Sequence, residues 1–137
     1  MSTVLETPQP EPLRSDKEWL AEAELVLSAL EVGAPTHDNR RRHPRRRYHV
    51  IADLHLFTDG PGTPPWRLYT RDVSARGLGF ITRDRLPLGY GGVVELPGPT
   101  DRLMRVNVTL FRCREIGNGW FEGALYFNRE QWLFAPQ

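Results

Sequence analysis

Lysine is almost missing from this chain: of its 18 basic residues, all but Lys17 are arginine. Cysteine is as scarce. With Cys113 alone, no disulfide can close within the chain, and the composition fits a reducing compartment. No apolar stretch approaches the roughly 18 residues that a membrane-spanning helix needs. Met1 is not followed by a basic-then-apolar leader, so the expected location is the cytoplasm. Catalytic signatures are lacking as well. There is no P-loop, no Gly-x-Gly-x-x-Gly after a strand and no nucleophile-base pattern, so no catalytic residue is expected. His37, His43, His49 and His55 recur every six residues, but they straddle a loop and an alternating strand. No pair has the i,i+4 spacing of a helical metal site, so no metal is expected. Cys113 reads as a small packing residue.

What is present is unevenly distributed. The 137 residues suffice for one domain with a short appendage. The formal net charge of +1 conceals an asymmetry: residues 1–38 hold eight acids and two bases, a net of −6, and the remainder carries +7. A basic body favours an anionic ligand or nucleic acid, and the acidic front can shield it in cis. Residues 1–14 are Pro-rich and without periodicity, which predicts disorder. Ser15-Asp16-Lys17-Glu18 then forms a capping-box pattern. Trp19, Leu20, Ala23, Val26, Leu27 and Leu30 fall on one face of a 3.6-residue helix that Gly33 and Pro35 end. An acidic amphipathic helix is therefore expected over 15–33.

From Tyr48 the period changes to two. Val50, Ala52, Leu54 and Leu56 alternate, and a Gly/Pro-rich loop from Asp59 to Pro65 leads into Trp66–Thr70. Further strands are expected at Leu78–Thr82, Gly92–Leu96, Leu103–Glu115 and Trp120–Phe127. The last two flank Gly117-Asn118-Gly119, and Asn-Gly is a strong hairpin signal. Gly89-Tyr90-Gly91-Gly92 reads as a turn. Five or six short strands joined by tight turns argue for a small antiparallel barrel. Asn128–Gln137, with Trp132, Leu133 and Phe134, is expected to pack back on it. In the long strand Met104, Val106, Val108 and Leu110 line one face, while parity alone leaves Arg112 and Arg114 unassigned.

Two clusters carry chemistry. Six of the eight residues from Arg40 to Arg47 are arginine, and Pro44 keeps His43 out of helix. Guanidinium forks suit phosphates and the O6/N7 edge of guanine, and they stack on flat rings; lysine offers only charge. Further on, Asp72-Val73-Ser74-Ala75-Arg76-Gly77 opens an apolar run. A carboxylate can accept from guanine N1–H and N2–H2 together, and the hydroxyl can bond the base or brace the carboxylate. Gly77 permits either a positive φ or a close backbone approach. Each cluster alone is weak evidence, a polybasic arm in one case and an Asx/Ser turn in the other.

Together, and in this order, they resemble the PilZ domain family, whose motifs are RxxxR and D/N-x-S-x-x-G. The resemblance covers about residues 40–127. Arg41 and Arg45 match RxxxR with Arg40 and Arg42 flanking, and Asp72, Ser74 and Gly77 match the second motif. The late family pattern Ile-Gly-Val-x-Phe is replaced by Glu122-Gly123-Ala124-Leu125-Tyr126-Phe127, one residue longer from Gly to Phe. The resemblance implies a mainly β protein, a six-stranded antiparallel barrel with an N-terminal amphipathic helix. Together with the disorder and the helix read above, the expected division is a disordered 1–14, a helix at 15–33, an Arg-rich ligand-binding hinge at 34–47 and a barrel at 48–137. It implies a stand-alone receptor for cyclic di-GMP, with no other cofactor, that relays binding by conformational change to an effector protein. Ligand contacts are implied for Arg40, Arg41, Arg42, Arg45, Asp72, Ser74 and Gly77. An arginine just before RxxxR, here Arg40, implies two cyclic di-GMP per protomer. Arg46 and Arg47 have no counterpart in the motif and are expected to be solvated or to partner the acidic segment. The competing readings are a basic small barrel that binds nucleic acid and a PilZ-like adaptor that binds no nucleotide.

Overall fold

A computed structural model describes residues 16–33, 46–98, 100 and 102–134. The chain divides into two compact units, residues 1–34 and 35–137. The first contains helix α1, Asp16–Gly33. Its first turn carries Asp16 and Glu18, favourable at the positive end of the helix dipole. Leu25 lies off the apolar stripe and is exposed. The cap expected at Ser15 and the disorder expected of 1–14 both fall outside the described residues.

The second unit is the barrel, whose strands fall where the alternation and turn signals put them. They are β1 (Arg46–Arg47), β2 (Ile51–Leu56), β3 (Trp66–Val73), β4 (Gly77–Thr82), β5 (Gly91–Pro97), β6 (Leu103–Gly117) and β7 (Trp120–Phe127). All pairings are antiparallel, in the order β1-β3-β2-β5-β6-β7-β4, and a further β3–β4 pairing closes six strands into a barrel. Closure leaves no open sheet edge among those six. The interior is filled by Leu54, Leu68, Val73, Leu78, Phe80, Val94, Leu96, Val108, Leu110 and Leu125, among others.

The β6–β7 hairpin turns at Asn118 and Gly119, with φ of 56° and 80°, as a two-residue turn of primed type requires. In the Gly89–Gly92 stretch only Gly89 turns, at φ 87°; Gly91 and Gly92 already belong to β5. The expected closing segment is a short 3-10 helix, Trp132–Phe134, of which Phe134 alone is buried, against Tyr48 and Phe127. Trp132 and Leu133 stay exposed.

One boundary differs from expectation. Arg46 and Arg47, placed in the hinge by the sequence, form β1 opposite Val73 and Asp72. Both are exposed, yet their backbone is held in the sheet beside the Asp-x-Ser motif.

Candidate functional site

Two β-bulges decide which charged side chains reach the outside of the barrel. On β3, Leu68 and Thr70 face inward, so strict alternation would send Asp72 into the core. The register shifts between Thr70 and Asp72, Arg71 becomes the extra residue, and Val73 takes the inward place instead. Asp72 is thereby turned outward. The same event occurs on β6. Val106, Val108 and Leu110 face inward, the register shifts between Leu110 and Arg112, and Phe111 is the extra residue. Cys113 now packs toward the core, and Arg112 and Arg114 point out.

The outward residues line up across four strands. Asp72 on β3 lies opposite Gly79 on β4, Gly79 opposite Ala124 on β7, and Ala124 opposite Arg112 on β6. Arg47 of β1 extends the row beyond Asp72. From Asp72 to Arg112 is three strand spacings, about 14 Å. Gly79 N–H donates to Asp72 Oδ1 at 3.1 Å, which fixes the carboxylate over its neighbour strand. A Cβ on Gly79 would stand 2.9 Å from that same oxygen, so glycine is what lets the carboxylate lie there. Sequence reading passed over Gly79, because only the pairing register reveals what it faces.

The rest of the motif forms a braced turn. Ser74 N–H donates to Gly77 O at 2.9 Å, and Arg76 N–H donates to Ser74 Oγ at 3.1 Å. Ser74 is buried, its oxygen engaged in the turn and its O–H still able to donate. Gly77 needs its missing Cβ for closeness, not for φ: a Cβ would lie 2.2 Å from Leu125 O on β7. The turn is anchored from outside as well. Phe127 N–H donates to Arg76 O, Gln131 N–H to Ala75 O, both at 2.8 Å, and Arg76 pairs with Glu130 at 3.5 Å. The closing segment thus holds the motif loop, a role its sequence gave no sign of. Asp72, Ser74 and Gly77 are brought together; Arg40, Arg41, Arg42 and Arg45 lie outside the described residues.

A second charged group adjoins Asp72. Glu122 on β7 is 3% exposed, and three guanidiniums converge on it. Arg112 Nη2 donates to Oε2 at 2.6 Å, Arg114 Nε to Oε1 at 3.1 Å, and Arg71 Nη1 stands 3.7 Å from Oε2. Next to Arg112, Phe111 and Tyr126 stack with centroids 4.7 Å apart and both rings exposed. Shifted pKa values occur elsewhere. Burial pushes the Cys113 thiol up, and burial also raises Asp84 against the opposing pull of Arg83. A thiol held protonated is a poor nucleophile.

The PilZ domain family matches residues 39–130, two thirds of the chain and the whole of the barrel strands. The chain belongs to the PilZ domain family. The family is one of cyclic di-GMP receptors, and the six-stranded antiparallel barrel is its fold. Two solved structures share that fold. The Bacillus subtilis inhibitor of motility (MotI/DgrA) aligns with a TM-score of 0.53 at 14% identity, over 67% of this chain and 44% of its own length. The PilZ domain of Escherichia coli YcgR, solved with c-di-GMP, aligns with a TM-score of 0.50 at 15% identity, over 65% and 78% respectively. The chain therefore spans less than half of the Bacillus protein. No curated protein sequence matches significantly.

Proposed function

We propose that this PilZ domain binds cyclic di-GMP on the outer face of β3, β4 and β7 and relays the binding to an effector protein. The observation that carries this reading is Asp72, turned outward by a bulge and fixed by the Gly79 amide beside the strand that ends the arginine segment. Arg46 is held opposite Val73, and Arg45 directly precedes it in the sequence. Asp72 accepts from the Watson–Crick edge of a guanine, and Arg41 and Arg45 neutralise phosphate and stack on the base. Ser74 contributes its O–H and otherwise braces the loop. Arg40 supplies a further guanidinium, which supports two nucleotides per protomer. A saturating titration should give two equivalents for the natural chain and shift toward one for Arg40→Leu.

Relay is assigned to residues 34–45, the stretch of sequence between helix and barrel, because a dianionic ligand would change the charge balance of the arginines it holds. Hydrogen exchange of residues 16–31 should change on ligand addition; unchanged protection leaves the helix without a part in signalling.

Nucleic-acid binding stands as the second reading because the Phe111–Tyr126 stack exposes aromatic faces beside Arg112. Isothermal titration with cyclic di-GMP, GTP and a generic single-stranded oligonucleotide separates the two. Saturable heat is expected with cyclic di-GMP alone. Tight binding of the oligonucleotide, and none of cyclic di-GMP, would reverse the order of the readings.

A further inference from the structure

Glu122 has more cations than a buried carboxylate requires. One guanidinium neutralises it, and Arg112 at 2.6 Å suffices for that. Arg114 and Arg71 add two further charges, so among the described residues the cluster carries a surplus of two positive charges. The anchor is buried while the heads are not: Glu122 is 3% exposed, whereas the Arg112 and Arg114 side chains are 45% and 70% exposed. A guanidinium has five N–H donors, and Glu122 accepts one hydrogen bond from Arg112 and one from Arg114, with Arg71 only at ion-pair distance. The carboxylate therefore acts as a buried peg that holds arginine forks at the surface, with less rotamer entropy left to lose when they bind.

Position supplies the second half of the argument. Arg112 ends the row that begins with Asp72, and the two places between, Gly79 and Ala124, carry nothing larger than a methyl group. Arg71, the extra residue of the β3 bulge, immediately precedes Asp72 and approaches the same Glu122 oxygen as Arg112. A base-edge acceptor and a surplus of phosphate-matched forks thus share one outer surface, about three strand spacings, or 14 Å, apart.

We propose that Arg112 and Arg114, held by Glu122 and flanked by Arg71, form a phosphate subsite of the same site, taking a phosphodiester of the cyclic dinucleotide whose guanine edge faces Asp72. The proposal rests on the cyclic di-GMP reading above and adds residues that lie outside both sequence motifs. It assigns the β6 bulge a purpose: were alternation to run on unbroken past Leu110, Arg112 would point into the core.

The test is a calorimetric titration of cyclic di-GMP against the full chain, Asp72→Ala, Arg112→Gln and Arg114→Gln, each at low and at high salt. Thermal melts check that each variant is folded. Arg112→Gln is expected to weaken binding about tenfold at low salt, and Arg114→Gln less, in line with the loss of one charged contact. The deficit should shrink at high salt, where exposed charges are screened. Should Arg112→Gln fail to fold, the more exposed Arg114→Gln decides by the same salt comparison. If the natural chain binds and Asp72→Ala does not, but both arginine variants bind like the natural chain at both salts, the subsite is refuted while the receptor reading stands. If the natural chain itself does not bind, both fall.

Discussion

The two sides of the barrel obey different rules. On the β2–β5 side alternation is unbroken: burial follows every second residue from Ile51 to Leu56 and from Gly91 to Pro97. Of its outward groups, Glu95 pairs with Arg105 and has the His55 ring at 3.5 Å, while Asp53 stands opposite Glu95. On the side of β3, β4, β7 and the far end of β6, register shifts at Arg71, Phe111 and Ile116 break the alternation. There one buried carboxylate faces three arginines and Ser74 is buried. The first side is what a barrel needs in order to fold. The second departs from local rules at Arg71 and Phe111, and each departure turns a charged group toward the same surface. Such clustered exceptions are what a functional face looks like against its own scaffold.

The comparison predicts where substitutions act. The largest effect is expected for Asp72→Ala, Arg41→Ala or Arg45→Ala, each costing about 1.5–3 kcal/mol of binding, at least tenfold in affinity. Glu95→Gln, on the other side, should leave affinity unchanged in the same titration. Equal losses on both sides would erase the distinction. Gly77→Ala should act on the fold instead, since its Cβ would meet Leu125 O at 2.2 Å and β4 or β7 must shift. A loss of about 1–3 kcal/mol in urea denaturation is expected, and Asp72→Ala should cost less, since it removes only the hydrogen bond from Gly79 N–H and forces no strand to shift. Removing the exposed Arg105–Glu95 pair by Arg105→Ala should cost between about 0 and 1 kcal/mol.

The smallest effect concerns pH. Burial raises the Cys113 thiol, so the folded chain keeps its proton at pH values where the unfolded thiol has begun to ionise. Stability from this source is complete below the ordinary thiol pKa of 9.0 and falls as pH rises past it. Thermal melts on either side of that value should show a smaller alkaline loss for Cys113→Ala than for the natural chain.

Much of the fold was legible because period two and turn chemistry are local. The Asn118-Gly119 hairpin, the inward series Met104 to Leu110 and the positions of the strands along the sequence all follow from residues within a few positions of one another. Asp72, Ser74 and Gly77 were legible as a motif, but the reason for Gly77, its contact with β7, was not. Bulges set the limit. Whether Arg112 faces in or out depends on one extra residue in a partner register, and nothing near Phe111 announces it. Gly79 and Glu122 were missed for the same reason: each matters through what the register sets opposite it, Asp72 for Gly79 and Arg112 and Arg114 for Glu122. The strand character of Arg46 and Arg47 was hidden by a charge run, which propensity reads as solvated.

The central claim, that the ligand engages the irregular side alone, is tested most directly by following backbone amide resonances during addition of cyclic di-GMP. The largest shifts are expected at Asp72, at Gly79, whose N–H holds the carboxylate, and at Ala124 and Arg112 along the same row. Asp53, Val93, Glu95 and Arg105 should stay still. Shifts concentrated on β2 and β5, or a Gly79 amide that does not move at saturation, would contradict the account.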